Sequence, residues 1–270
     1  MIQAIFKKLT GNSPIAKRTW QFWYNFANLI DGRAGDLRFM NFGYAPEHHG
    51  GKIMDLDPAD EEHRYAIQMY YHTIGRQSLS DLDVLEVGCG RGGGAASLMK
   101  YTSPRSLMGI DLSSKAISLC RNLGRIPSLT FKVGDAEKIP FQDGSFDAVV
   151  NVESSHCYPQ LHKFFAEVLR VLKKGGKFYY ADFRREEDLA AQQQAIRDSA
   201  FIVREKEDIA PEVLQALTLD STRKEKLIQE RIPGFLRSYF RKFTCTVGSE
   251  NYVSLLEGRR FYHRYLLVKP

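Results

Sequence analysis

Paired cysteines are missing from this 270-residue sequence. Cys89, Cys120, Cys157 and Cys245 are far apart, with no C-x-x-C pair and no cysteine–histidine spacing of a zinc site. Neither a disulfide framework nor a metal is expected, and a reducing cytoplasm is the expected compartment. No apolar run approaches the roughly 20 residues of a membrane span. Met1 to Phe6 is apolar but short, and Lys7-Lys8 follows without a small-residue cleavage site, so no secretory signal is read. Repeats and low-complexity tracts are absent. Charge of one sign is in small excess only, with 38 Lys and Arg against 32 Asp and Glu. The basic pairs, among them Arg223-Lys224 and Arg241-Lys242, are scattered and form no basic-aromatic stripe. Nucleic acid is therefore not an expected partner. A hydrophobic share of 43% is that of an ordinary globule, large enough for one domain with an added cap.

What is present is a glycine-rich turn. Val84-Leu85-Glu86-Val87-Gly88-Cys89-Gly90-Arg91-Gly92-Gly93-Gly94 reads as a buried strand, a turn without β-carbons, and the start of a helix. Gly88, Gly90 and Gly93 also satisfy G-x-G-x-x-G, a dinucleotide fingerprint. The two ligands make different demands. A dinucleotide sets its pyrophosphate on a helix N-terminus. S-adenosylmethionine (SAM) has no phosphate, and its ammonium and sulfonium charges suit a nearby acid. Glu86, in Glu-x-Gly-x-Gly-x-Gly, tilts the choice toward SAM.

Around this turn the periodicity alternates between strand and helix. Strands are expected at Asp83–Val87, Leu107–Ile110, Leu129–Val133, Phe146–Asn151 and Lys177–Ala181. Helices are expected at Gly93–Lys100, Ser114–Leu123 and His162–Leu172. Such alternation implies a parallel sheet with right-handed crossovers. Residues 1–80 read as a helical, aromatic segment covering the site, with Trp20, Phe22, Trp23, Tyr24 and Phe26 as core packing, a pocket lining or a subunit contact. Residues 81–183 form the α/β core. Arg184 to Ile232 looks helical and polar, giving a cap over 184–236. Residues 237–270 are expected to complete the sheet with strands at Ser238–Val247 and Phe261–Val268, and a short helix near Tyr252–Leu256.

The motifs recur in a familiar order. Asp111 ends the second strand about 20 residues beyond the glycines, where an acid can accept ribose hydroxyls. Gly134-Asp135-Ala136-Glu137 follows the third strand, then Ile139-Pro140-Phe141, Ser145-Phe146-Asp147-Ala148-Val149 and Leu172-Lys173-Lys174-Gly175-Gly176. The series resembles class I SAM-dependent methyltransferases over about Leu82–Ala181. Asn151-Val152-Glu153-Ser154-Ser155-His156-Cys157-Tyr158-Pro159 resembles, more narrowly, the mycobacterial phthiotriol/phenolphthiotriol dimycocerosate O-methyltransferases. That match extends through Trp20-x-x-Trp23-Tyr24, Asn41, Tyr44 and Pro233-x-Phe235-Leu236-Arg237. The resemblance implies an α/β, Rossmann-like seven-stranded sheet with N-terminal helices and a helical cap, SAM as cofactor, and a small hydrophobic acceptor.

It also implies roles. Gly88 and Gly90 would admit the methionine portion, Asp111 the ribose, Leu112 the adenine face, and Asp135 with the Ala136 amide the adenine edge. Asn151 would offer its carbonyl near the sulfonium. Tyr44 would reach SAM from the N-terminal segment, with Tyr70 as second choice. An alcohol is a poor nucleophile until it loses its proton, and His156, which titrates near neutrality, is the expected general base. Glu153 would orient it or cap the following turn. The expected reaction is O-methylation of a lipid or natural-product hydroxyl by in-line displacement. C-methylation of an isoprenoid alkene is the alternative. Association into homo-oligomers through the N-terminal helices stays open.

Overall fold

The computed structural model describes residues 38–270. The aromatic stripe at Trp20 to Phe26, and any subunit contact through it, lies outside the described residues. Seven strands form one sheet: β1 (Asp83–Val87), β2 (Ser106–Asp111), β3 (Leu129–Val133), β4 (Phe146–Val152), β5 (Leu172–Arg185), β6 (Ile202–Asp208) and β7 (Arg260–Val268). Their spatial order is β3-β2-β1-β4-β5-β7-β6. The first five pair in parallel, and β7 runs antiparallel between β5 and β6. β1 and β4 are central and covered on both faces, so they read as nearly unbroken apolar runs. The chain order reverses direction at β1, with β2 on one side and β4 on the other. Ligands of open α/β sheets bind beyond the strand ends at such a switch point.

The helices are α1 (Arg64–Thr73), α2 (Gly93–Thr102), α3 (Ser114–Cys120), α4 (Leu161–Val171), α5 (Glu186–Asp198), α6 (Ala210–Arg231), α7 (Arg237–Phe243) and α8 (Glu250–Leu256). The period-2 alternation of the strands feeds two cores. Val84 and Val150 pack with Met69, Leu98 and Val213 on one face; Leu85 and Val149 pack with Phe164, Phe165 and Phe178 on the other. Ser113 caps α3, its Oγ accepting from the Ala116 amide at 3.1 Å.

Two expectations are corrected. The stretch from Arg184 to Ile232 is not a continuous helical cap, because it contains β6. Five of the seven residues of β6 are charged (Arg204 to Asp208), the composition of a solvated edge strand, and six of the seven are exposed. Ser238–Val247 is not a strand. It holds α7, whose Phe240 is buried against Ile228 and Ile232 of the preceding segment. The strand next to β7 at the sheet edge is therefore β6. The helix near Tyr252–Leu256 is α8. Among the described residues, no helix is long and apolar enough to cross a membrane.

Candidate active site

The turn after β1 is shaped by close approach. Gly88 has φ 77°, and a β-carbon there would lie 2.2 Å from Ser154 Oγ. At the start of α2, a β-carbon on Gly94 would lie 2.0 Å from Cζ of Tyr70. That contact seats the ring of Tyr70, on α1, against the turn. The Tyr70 hydroxyl donates to Glu86 Oε1 at 2.8 Å. Glu86 is buried, and burial pushes its carboxyl up to about 7 although the Tyr70 hydrogen bond works the other way. Its Oε2 has no partner among the described residues.

A cleft opens over the carboxyl ends of β1, β2 and β3. Gly88, Gly90, Asp111, Leu112, Asp135 and Ala136 all lie on its wall. Asp111 is held rigidly: Oδ2 accepts from the Gly90 amide at 3.0 Å and Oδ1 from the Ser113 amide at 2.8 Å. Burial nevertheless raises its pKa. Asp135 Oδ1 accepts from the Glu137 amide at 2.9 Å. Two carboxylates at neighbouring strand tips, apolar Leu112 and Ala136, and a turn that a β-carbon would fill together fit an adenosyl group with a charged amino-acid tail.

Three other expected residues stand behind this wall. Glu86 meets the cleft only through Tyr70, which lines it. Asn151 is buried, and its Nδ2 donates to the Val87 carbonyl at 2.8 Å and to Ser154 Oγ at 2.7 Å, tying the loop after β4 to β1. Tyr44 is buried in stacking contact with His72, ring centroids 3.9 Å apart. Of the two expected tyrosines, Tyr70 is the one that reaches the cleft.

The loop after β4 supplies an acid. Glu153 has φ 46°, an uncommon conformation for a residue with a β-carbon, and it lines the cleft. Its Oε1 accepts from the Phe42 amide at 2.6 Å and from the Tyr262 hydroxyl at 2.8 Å. Burial pushes this carboxyl up to about 7 against those two hydrogen bonds. His156 is not on the cleft wall. Its ring stacks on Phe183 with centroids 4.2 Å apart, and its Nδ1 bonds Asp182 Oδ1 at 2.9 Å. Burial alone would lower the His156 pKa; the adjoining Cys157 and the Asp182 carboxylate outweigh it and push it up to about 10.

The acid that orients His156 is thus Asp182, not Glu153. Asp182 is fully buried and also accepts from Ser155 Oγ at 2.6 Å, with Arg184 Nη1 at 3.1 Å. Sequence reasoning passed over it. The available signal was an acid directly after the apolar run Phe178 to Ala181 of a central strand.

A second cavity adjoins the cleft and shares Phe39, Met40, Asn41 and Arg91 with it. Its remaining wall exposes a mainly apolar surface, with Phe42, Leu227, Ile228, Ile232, Phe240 and Phe243, and also carries charged side chains such as Asp220, Arg223, Lys224 and Arg231. Phe42 joins the two spaces, since its ring lines this cavity and its amide holds Glu153. Eight of its residues come from α6 and α7, of which α6 lies in the stretch expected to be helical and α7 in one expected to be a strand.

Residues 85–180 match the family described as "Methyltransferase domain". Over 260 residues, 96% of this chain and 95% of the relative, the sequence is 37% identical to the phthiotriol/phenolphthiotriol dimycocerosates methyltransferase of Mycobacterium tuberculosis strain H37Rv. It is 36% identical over 261 residues, 96% and 93% of the two chains, to the fatty-acid O-methyltransferase of Mycolicibacterium smegmatis. Among solved structures, geranyl diphosphate C-methyltransferase from Streptomyces coelicolor A3(2) superposes with a TM-score of 0.65 at 16% identity, covering 96% of this chain and 100% of that one. The [4+2]-cyclase SpnF gives 0.68 at 18%, covering 94% and 97%. At those identities the likeness is one of fold, and the cyclase shows that this fold does not by itself fix a reaction.

Proposed function

Because the chain belongs to the SAM-dependent methyltransferase family that includes the phthiotriol/phenolphthiotriol dimycocerosates enzymes, we propose that it methylates a hydroxyl oxygen on a hydrophobic lipid or natural product. One observation carries this reading: the apolar second cavity meets the cofactor cleft beside Glu153. The two relatives named as acting on lipid substrates point the same way.

When bound, SAM supplies an electrophilic methyl group on a sulfonium. In this reading Asp111 holds the ribose, Asp135 and the Ala136 amide hold the adenine edge, Leu112 packs on its face, and Gly88 and Gly90 leave room for the methionine portion. The chain's remaining tasks are to aim the acceptor oxygen, to exclude water and to take a proton. The apolar wall of the second cavity serves the first two. For the third we assign Glu153 rather than His156. Glu153 lies on the cleft wall, and a carboxyl near 7 is half ionised at neutral pH, the range in which a general base is effective. His156 lies off the wall, and with its pKa near 10 it already carries its proton. It then acts with Asp182 as a positioning pair for the loop that presents Glu153. The wide spacing of the four cysteines agrees with a cytoplasmic location.

The test is incubation with SAM carrying a labelled methyl group and a panel of long-chain alcohols. A methyl ether, seen as a mass increase that survives base hydrolysis, is expected. The aromatic residues Phe39 and Phe42 on the wall of the second cavity also suit a developing carbocation, which favours alkene C-methylation as the second reading. A new carbon-bound methyl in the product NMR spectrum, with no ether, would replace the first reading with the second.

A further inference from the structure

Besides its apolar residues, the second cavity is lined by charged ones, among them Asp220, Arg223, Lys224 and Arg231. Lys224 sits on α6, one turn from Asp220 and Ile228, on the helix face that also bears Leu227. Its side chain is 12% exposed. The carboxylate nearest to it is already engaged: Arg223 binds Asp220 with both prongs, at 2.6 and 2.7 Å. Lys224 Nζ stands 3.5 Å from Asp220 Oδ2, beyond good hydrogen-bond length, and donates no hydrogen bond among the described residues. Glu153 is the next acid within electrostatic reach, and it is itself bonded by Phe42 and Tyr262. One carboxylate shared between two cations leaves a positive charge on the wall of a cavity whose surface is mainly apolar. An ammonium there is costly unless something of opposite charge meets it. Burial accordingly pulls the Lys224 pKa below its usual value. A pair that merely braced α6 would gain nothing by lying inside a cavity.

We propose that Lys224 anchors an anionic group, a carboxylate or a phosphate monoester, carried by the acceptor away from the oxygen that is methylated. This rests on reading the second cavity as the acceptor site. Lys224 is absent from the stretch of wall common to the two cavities, so the anion is held apart from the reacting end. The acceptor class is then an amphipathic hydroxylated acid: an apolar body against Phe240, Phe243 and Ile228, a hydroxyl toward Glu153, and a charged end on Lys224.

The test is calorimetric binding to the full chain saturated with S-adenosylhomocysteine, using dodecanoate, dodecyl phosphate and dodecanol as probes. At least one anion should bind about tenfold more tightly than the alcohol, the step expected for one charge-assisted hydrogen bond. Which anion binds more tightly separates carboxylate from phosphate. Lys224→Met should lose the preference and Lys224→Arg should keep it, with S-adenosylhomocysteine affinity reporting that each variant is folded. Equal binding of acid and alcohol, or a preference that survives in Lys224→Met, would overturn the anchor while leaving the apolar acceptor site standing. Failure of all three probes to bind would remove both.

Discussion

The amide of Phe42 donates to Glu153 Oε1 at 2.6 Å, across 111 positions of sequence. Phe42 thereby couples the wall of the second cavity to the acid of the cleft. Glu153 is held by one backbone and one side-chain donor on the same oxygen, in a backbone conformation that few residues adopt.

Glu153→Gln keeps an acceptor for Phe42 and Tyr262 but cannot take a proton. It should lower turnover by about 100-fold or more, the usual contribution of a general base, with S-adenosylhomocysteine affinity little changed. Turnover close to that of the unaltered enzyme would remove Glu153 from the chemistry and return the role to His156.

The same carboxyl sets a pH dependence. Its pKa is about 7, so methyl transfer should rise as pH climbs through 7 and level off above it, when the base is fully ionised. In Glu153→Gln any residual rate should be flat over that range. An unchanged inflection in the variant would assign the titration to another group.

Glu86 gives a stability prediction. Its folded pKa of about 7 lies above the roughly 4.3 of an exposed glutamate, so the folded state binds the extra proton between those values. Stability from this group is complete below about 4.3 and is lost as pH rises to 7. Glu86→Gln retains an acceptor for Tyr70 and has no charge to desolvate. Without ligand, its Tm should exceed that of the unaltered chain by a few degrees at pH 8 and match it at pH 4, as measured by scanning calorimetry.

Asp182 should behave oppositely. Arg184, His156 and Ser155 all depend on it, and the Arg184 charge beside it is buried. Asp182→Asn leaves that charge unmatched and should cost about 3 kcal/mol of unfolding free energy by urea titration. The His156 pKa should fall in the same variant, visible as a shifted imidazole titration by NMR.

Asp111→Ala removes a strand-tip carboxylate and the acceptor for the Gly90 and Ser113 amides. S-adenosylhomocysteine affinity should drop at least about tenfold, as expected when a charged hydrogen-bond partner is lost. Unchanged affinity would free Asp111 from the ribose.

The parallel half of the sheet was legible because its signals are local. β1 and β4 are apolar runs, the glycines mark the turn, and Asp111 and Asp135 stand where strands stop. Legibility ended where long-range contacts decide. The charged run of β6 has no apolar stripe, and only pairing with β7 makes it a strand. Tyr239, Phe240 and Phe243 have the composition of a strand, but burial of Phe240 against α6 sets a helical period instead. Tyr44 and Tyr70 are equivalent by residue type; the absence of a side chain at Gly94 is what admits Tyr70 to the cleft. Asp182 and His156 meet across 26 residues, a pairing that no spacing rule contains.

Residues 70 and 94 consequently form a single steric choice. A methyl at position 94 would have to be matched by a smaller residue at position 70, and that exchange would strip Glu86 of its phenolic donor. Any redesign of the cleft has to change positions 70 and 94 together, and a library that enlarges position 94 alone would lose the contact that seats the Tyr70 ring.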